Sequence, residues 1–132
     1  MNLIPDSPST AELFFDYVQN TPQHVFAKFN GRELTASELH DLVQHTSGQL
    51  RDLGIESGDR VAYMLDNNLD LIVLIFSLML IGSIQIPINT KLRNDSLKFI
   101  VSHCEAKLVI AEDGYQSILT PLVSPQLADG II

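Results

Sequence analysis

The histidine and cysteine side chains are the first places to look for chemistry in this sequence. His40 and His45 lie on one predicted helix, separated by about 140° around its axis. They cannot share a metal ion from that helix, and solvated surface positions explain them. His103 and Cys104 are neighbours, and adjacent helical residues point in different directions. Cys104 falls on an apolar stripe, which indicates a packed thiol rather than a nucleophile or a metal ligand.

Phosphate-binding and nucleophile motifs are absent from the sequence. Neither G-x-x-x-x-G-K-[ST] nor G-x-G-x-x-G nor G-x-S-x-G occurs. The segment Gly54-Ile55-Glu56-Ser57-Gly58 has no Lys and precedes a strand, so it does not open a helix toward an anion. Asp59 could form an acid–base pair with Asp66 or Asp70, but Asp59 precedes a predicted strand and Asp66 follows it. Turn and cap roles explain these carboxylates.

One general rule still marks a place for a ligand. In open parallel sheets, ligands bind beyond the carboxyl ends of the strands. Those ends are predicted at Asp66-Asn67-Asn68, Asn89-Thr90 and Glu112-Asp113-Gly114. Polar caps and turns would place the same residues there, so a ligand contact and a purely structural role both stay open. Composition and spacing alone identify no catalytic, cofactor-binding or metal-binding residue.

A strand, a helix and a second strand would position this edge. Val61–Leu65 is short, apolar and bounded by turn residues, which predicts a buried strand. Leu69–Ile81 follows as a helix, and Ser83–Ile88 is the next strand, with Pro87 near its end. Two strands joined through a helix by short connections form a βαβ crossover. The sequence therefore predicts a parallel sheet with both faces covered.

The predicted helix Leu69–Ile81 is apolar almost all the way round. Asn67 or Asn68 caps its start and Gly82 ends it. Asp70 and Ser77 are its only polar residues, and they share one narrow stripe. Such a helix is covered on more than one side. Its 11-residue apolar run is shorter than the roughly 20 residues that span a bilayer, so no transmembrane segment is predicted.

The elements before this unit are a helix, a hairpin and a second helix. The hairpin joins His24–Phe29 to Arg32–Thr35 through Asn30-Gly31, and we expect it to pack at the edge of the sheet. Capping boxes start the two helices at Ser9 with Glu12 and at Thr35 with Glu38, and Gly54 ends the second. In the first helix the predicted buried positions are Leu13, Phe14, Tyr17 and Val18. In the second they are Leu39, Leu42, Val43, Thr46, Leu50 and Leu53.

The elements after this unit complete a βαβαβ order. Leu97, Ile100, Val101 and Cys104 mark the buried face of another helix. Lys107–Ala111 is predicted as the third parallel strand, and Glu112-Asp113-Gly114 as a turn. Tyr115–Val123 is then expected as a short helix that Ser124-Pro125 ends. The final residues, QLADGII, carry no closing pattern, which we interpret as a chain cut in mid-fold.

The composition restricts the class of protein. A length of 132 residues fits one domain, and 45% hydrophobic residues is typical of a globular protein. The net charge of −8, from 16 acidic and 8 basic residues, argues against nucleic acid as a partner. A single Cys excludes an internal disulfide, and no secretory signal is visible, so we expect the cytoplasm. The apolar helix and the low charge favour contact with another protein segment.

Five short segments, taken in order and at their separations, carry a resemblance to a known family. They are Leu34-Thr35-x-x-Glu38-Leu39; Leu50-x-x-Leu53-Gly54-Ile55-x-x-Gly58-Asp59-Arg60-Val61-Ala62; Leu65-x-Asn67; Gly82-x-x-x-x-Pro87-Ile88-Asn89; and Ala106-Lys107-x-Val109-Ile110. From Ser9 to Asp113, the chain resembles the beginning of the adenylate-forming (AMP-binding) enzymes. These are the acyl-CoA synthetases, the luciferases and the adenylation domains of peptide synthetases.

The resemblance implies both a fold and an activity. The fold would be α/β: a partial acyl-CoA synthetase-like N-terminal lobe, with a parallel βαβαβ sheet, flanking helices and an antiparallel hairpin near residues 24–35. Residues 1–132 would form a single domain that ends before the phosphate loop and the C-terminal domain. Enzymes of this kind activate a carboxylic acid with ATP and Mg²⁺ and pass the acyl group to a thiol, often that of coenzyme A.

The motifs for that chemistry have no counterpart in residues 1–132, so no catalytic, cofactor-binding or metal site is carried over. We expect the fragment to be inactive and to bind no cofactor, with ATP, Mg²⁺ and coenzyme A used by a parent acyl-CoA synthetase of fatty acid metabolism. Its partners would be the remainder of that enzyme or, through exposed apolar surface, a second copy. The alternative is a stand-alone, non-catalytic binding or interaction module of the same family. A flavodoxin-like ligand binder is disfavoured, because the first strand–helix joint lacks a phosphate-binding composition.

Overall fold

A computed structural model describes residues 8–123, and this range folds into two sheets with helices packed around them. The elements in chain order are α1 (Thr10–Asn20), β1 (Val25–Phe29), β2 (Arg32–Thr35), α2 (Ala36–Asp52), β3 (Arg60–Met64), α3 (Leu69–Ile81), β4 (Ile84–Pro87), α4 (Asn94–His103), β5 (Leu108–Ala111), α5 (Asp113–Leu119) and a 3₁₀ helix (Thr120–Leu122).

The three-stranded sheet is parallel, in the order β4-β3-β5, which confirms the predicted α/β fold. Strand β3 lies in the middle, and its side chains alternate between two apolar layers. Val61 and Tyr63 pack toward α3 and the C-terminal end of α2. Ala62 and Met64 pack toward α4 and α5 on the other face. Both faces of β3 are therefore buried, and this explains its uninterrupted apolar sequence.

Helix α3 has the predicted bounds because local residues fix both of its ends. The Asn68 side chain accepts a hydrogen bond from the amide of Leu71 at 2.9 Å. Gly82 has a φ of 82°, a left-handed conformation that glycine adopts without steric cost. Asp70 and Ser77 share one side of this helix, as predicted, but Ser77 is fully buried against α2 while Asp70, in the first turn, is exposed. The Ser77 hydroxyl donates to the carbonyl oxygen of Val73 at 2.7 Å, which satisfies it inside the core.

The hairpin does not pack at the edge of the parallel sheet, as the sequence had suggested. Strands β1 and β2 form a separate antiparallel sheet that lies against α2 and α3. Asn30 and Gly31 have φ values of 49° and 78°, the left-handed pair of a type I′ turn. Leu34 is buried in the first apolar cluster, together with residues of α1, α2 and α3. Contact with helices, rather than strand pairing, therefore fixes the position of the hairpin.

Both predicted capping boxes are present at the starts of α1 and α2. The predicted buried faces hold in part: Phe14, Val18, Leu39, Val43 and Leu50 are buried, and Tyr17 and Thr46 are half-buried. Three predictions are wrong, because Leu13 is 54% exposed, Leu53 is 53% exposed and Leu42 is exposed as well. Leu53 follows the last turn of α2, where the chain has left the helix axis. α2 instead buries Ser47, at the point where α3 crosses it.

The last described segment differs from its prediction in its boundaries. Helix α5 begins at Asp113, so only Glu112 of the predicted turn Glu112-Asp113-Gly114 lies outside the helix. The α-helix ends at Leu119 and a 3₁₀ helix follows from Thr120. The proposed stop at Ser124-Pro125 and the segment QLADGII lie outside the described residues. Along residues 8–123, no helix is long and apolar enough to cross a membrane.

Candidate functional site at the carboxyl edge of the sheet

The carboxyl ends of β3, β4 and β5 meet at one edge of the parallel sheet, as predicted. The segments that follow them are residues 66–68, 89–90 and 112–114. Parallel pairing brings the first and third segments into direct contact across the sheet. The Glu112 carboxylate accepts hydrogen bonds from the Asn68 side-chain nitrogen at 2.5 Å and from the Asp66 amide at 3.3 Å. This edge is therefore the place where sequence-distant polar groups converge.

Asn68 links this contact to the start of α3. Its side-chain oxygen caps the helix through the Leu71 amide, while its side-chain nitrogen donates to Glu112. The two halves of the amide are thus used in opposite directions, one toward the helix and one toward the neighbouring loop. Glu112 in turn lies near the positive end of the α3 dipole, where a carboxylate is favoured. Together they anchor the α3 start to the end of β5.

A second contact ties α5 to the same edge. The Tyr115 hydroxyl donates to an Asp66 carboxylate oxygen at 2.8 Å. This hydrogen bond, helped by desolvation, raises the pKa of the Tyr115 phenol above its ordinary value. The guanidinium carbon of Arg93 lies 5.8 Å from the centroid of the Tyr115 ring. The phenol is therefore held as a protonated donor to Asp66.

An open cleft of about 390 Å³ lies beside this network, between the ends of β3 and β4. Its walls combine apolar side chains with those of Tyr63, Asn67, Asn89 and Thr90. Burial raises the pKa of Tyr63, whose hydroxyl donates to the side-chain oxygen of Gln85 at 3.2 Å. No Lys or Arg side chain is among the described residues that line it. The cleft could hydrogen-bond a neutral polar group, but it offers no charge to a phosphate.

The other candidate residues from the sequence do not assemble into a site. His40 lies edge-on to Phe15, with ring centroids 5.4 Å apart, and His45 is exposed. His103 stacks on the exposed ring of Phe99 at 4.2 Å. The Cys104 thiol, at the C-terminal end of α4, lies 3.5 Å from the carbonyl oxygen of Val101. Across residues 8–123, no group of three or more metal-binding side chains occurs.

The three aspartates remain apart, and each has a structural role or a solvated position. Asp59, at the amino end of β3, accepts hydrogen bonds from the Glu56 amide at 2.8 Å and from the Lys107 ammonium at 2.7 Å. Asp66 lies at the opposite end of the same strand, and Asp70 is exposed. No acid–base pair forms between them.

Sequence reasoning missed Tyr115 and the pairing of Glu112 with Asn68. The sequence offered a weak signal for both, since Glu112 directly follows a predicted strand and Tyr115 comes three residues later. Their partners lie 44 and 49 positions earlier in the chain, so only the parallel register of β3 and β5 brings them together. That no residue of this edge is catalytic stays a prediction.

Comparison with known proteins shows which family the sequence matches. The AMP-binding enzyme family matches residues 14–129. The chain is 30% identical over 92 residues to the crotonobetaine/carnitine–CoA ligase of Proteus mirabilis, a match that covers 70% of this chain and 18% of the ligase. It is 26% identical over 113 residues to bacitracin synthase 2 of Bacillus licheniformis, covering 86% of this chain and 4% of the synthase.

The fold is also found in solved structures. NpsA of Klebsiella oxytoca in complex with 3-hydroxyanthranilyl-AMSN has a TM-score of 0.82 at 21% identity, and the match covers 96% of this chain and 25% of NpsA. The chain thus spans a quarter or less of the relatives named here, and its lobe corresponds to the N-terminal lobe of adenylate-forming enzymes. By its sequence match, the chain belongs to the AMP-binding enzyme family.

Proposed function

We propose that this chain is the N-terminal structural part of an ATP-dependent carboxylic acid–CoA ligase. In the parent enzyme, a carboxylate would attack the α-phosphorus of ATP and release pyrophosphate, with Mg²⁺ neutralising phosphate charge. The thiol of coenzyme A would then attack the acyl-adenylate and release AMP. The observation that carries the proposal is the 30% identity to a CoA ligase over 92 residues, of which this chain covers 18%.

The chain's own contribution would be structural. The polar groups at the sheet edge bind one another, as Glu112 does with Asn68 and Asp66 does with Tyr115. The neighbouring cleft has no cationic side chain among its described lining residues. These features support a scaffold that is inactive alone and binds no cofactor, while ATP, Mg²⁺ and coenzyme A bind to later parts of the parent enzyme.

ATP–pyrophosphate exchange tests this proposal directly. The 132-residue chain and the longer product of its gene would be assayed with a panel of carboxylic acids, including fatty acids. Reactions without acid serve as the control. We expect acid-dependent exchange only from the longer product. Exchange above background from the 132-residue chain alone would contradict the structural role.

A stand-alone binding or interaction module is the second candidate. It is favoured by the extent of the core, since large side chains such as Leu39, Met64 and Leu97 are fully buried without any further segment. The reading frame after Ile132 separates the two candidates. A stop codon supports the module, whereas a Thr/Ser/Gly-rich run followed by Pro-Lys supports the ligase. Both candidates carry the same expectation of a cytoplasmic location, which the single Cys supports.

A further inference from the structure

The outward side of α3 carries only apolar side chains. Leu71, Ile72, Ile75 and Met79, here called the α3 strip, are all half-buried and fall within about 100° of the helix circumference. A helix at the surface of a soluble domain normally presents polar residues on the side opposite the core. The only charged residue of α3, Asp70, lies on a different side. The α3 strip is thus an incompletely covered apolar surface.

The surroundings extend this surface on both sides. Toward the hairpin, Phe26 is 38% exposed and its ring centroid lies 5.4 Å from that of Phe76. Toward β4, the Gln85 side-chain nitrogen donates to the carbonyl oxygen of Ile75 at 3.1 Å. This amide nitrogen therefore already has a hydrogen-bond partner within the chain. Two open clefts, of about 290 and 390 Å³, meet at Leu71. Leu71 and Ile72 of the strip line these clefts, so the apolar surface of α3 continues into both of them.

Two observations argue against a second copy of the chain, the first against strand addition at the neighbouring β4 edge and the second against self-association in general. The amides of Ile84 and Ile88 bind β3, so the outward positions of β4 are Gln85 and Pro87. Pro87 has no N–H, and this edge therefore cannot support a regular ladder with an added strand. Each copy also carries a net charge of −8, which opposes self-association.

We propose that the α3 strip is the surface on which the later part of the parent enzyme packs, through apolar side chains rather than by strand pairing. This inference rests on the proposed function, in which most of the enzyme follows this lobe; the chain covers only 18% of the Proteus ligase. The last described residue, Val123, lies in the apolar cluster on the opposite face of the sheet. On this proposal the occupant is a segment of the same longer polypeptide, with apolar side chains facing α3.

Methionine oxidation provides the test, because the chain contains a matched pair. Met79 lies in the α3 strip, and Met64 is fully buried in β3. Peroxide converts an accessible methionine into its sulfoxide, and peptide mass spectrometry measures each rate. The 132-residue chain would be treated at low and high protein concentration, alongside the longer gene product. We expect Met79 to oxidise several-fold faster than Met64 in the short chain, and nearly as slowly as Met64 in the longer product.

Each other outcome has a defined meaning. Slow oxidation of Met79 in the short chain at every concentration would overturn the inference, because the chain would cover its own strip. Protection that appears only at high concentration would overturn it in favour of a second copy. A longer product with acid-dependent exchange but fast Met79 oxidation would overturn the docking surface alone. A longer product with protected Met79 and no exchange would uphold the surface and refute the ligase.

A pair of substitutions adds an independent check. Met79→Lys should leave the melting temperature of the short chain nearly unchanged, because the strip is only half-covered there. In the longer product the same change would bury a charge, so the melting temperature and the exchange activity should both fall. Met79→Leu is the control and should change neither protein. Equal effects of Met79→Lys on both proteins would count against the inference.

Discussion

The side-chain nitrogen of Asn68 lies 2.5 Å from the Glu112 carboxylate, which joins the cap of α3 to the end of β5. Asn and Asp are nearly equal as helix caps, so in isolation Asn68→Asp would be harmless. Here it places two carboxylates in contact. We expect Asn68→Asp to lower the free energy of unfolding at pH 7 by about 1–3 kcal/mol. Urea unfolding followed by circular dichroism measures it.

The rescue variant makes the cause identifiable. Glu112→Gln keeps an acceptor oxygen, adds an N–H donor and removes the charge, so the double variant Asn68→Asp/Glu112→Gln should regain most of the lost stability. A double variant no more stable than Asn68→Asp would show that the contact between these residues does not govern the effect.

Gly82 combines a left-handed backbone with close packing against the preceding loop. Its φ is 82°, and a Cβ there would lie 2.9 Å from the Ser57 hydroxyl oxygen. We expect Gly82→Ala to cost about 1–2 kcal/mol of stability from the backbone alone. The contact with Ser57 adds to that cost, although the side chain can rotate. Thermal and urea unfolding would measure the loss.

Gly48 provides the matched control. It lies inside α2, and no atom is within 4 Å of a Cβ placed there. Gly48→Ala should therefore stabilise the chain by about 0.5–1 kcal/mol, since alanine is the better helix former. Similar effects of the two substitutions would contradict the geometry described for Gly82.

The elements with local signals were predictable from the sequence, and α3 is the clearest example. An Asn cap, a run of apolar residues and a terminal Gly lie next to one another in the chain, so its bounds required no tertiary information. The hairpin turn at Asn30-Gly31 was equally local, yet the position of the hairpin was not. That position depends on contacts such as the one between Phe26 and Phe76, which lie 50 residues apart in the numbering.

At the carboxyl edge of the parallel sheet, too, the local elements were predictable from the sequence and the long-range contacts were not. Strand periodicity predicted which segments would end there. It could not predict that Glu112 would bind Asn68, because that contact depends on the register of β3 against β5. The exposed Leu42 and Leu53 were missed for a related reason. Helical periodicity indicates one apolar face, but the neighbouring elements decide how much of that face is covered.

Ser47 and Ser77 lie where α2 crosses α3, and each hydroxyl bonds a carbonyl of its own helix, at 2.6 and 2.7 Å. Removing either hydroxyl leaves the helical ladder intact, so Ser77→Ala should change stability by less than about 1 kcal/mol. Ser77→Leu adds volume to a fully buried position and should cost about 1–3 kcal/mol. Urea unfolding of both variants distinguishes packing from hydrogen bonding.

Ser102 is the control for this pair of substitutions. Its hydroxyl also bonds a carbonyl one turn earlier, at 2.6 Å from Lys98, but the residue is exposed. Ser102→Leu should therefore have little effect on stability. If it costs as much as Ser77→Leu, close packing between α2 and α3 is not the reason for the buried serine.

The Lys107 ammonium and the Asp59 carboxylate make the stability of the chain depend on pH. The hydrogen bond from Lys107, followed by that from the Glu56 amide, lowers the pKa of Asp59 below its ordinary value. A lowered pKa in the folded state means that the unfolded chain takes up a proton first as the pH falls. The contribution of Asp59 is therefore complete above its unfolded pKa, about 3.9, and is lost as the pH falls through the folded value.

Asp59→Asn removes this titration while keeping an oxygen that the Glu56 amide can reach. The pKa values of Glu12 and Glu38 are lowered in the same direction by their capping hydrogen bonds, so the wild-type curve alone would not isolate Asp59. The difference in melting temperature between wild type and Asp59→Asn should be constant near neutral pH and shrink as the pH falls below about 4. High salt should reduce it, because the Lys107 side chain is partly exposed. A difference that grows toward low pH would reverse the sign expected from this pair and contradict the assignment.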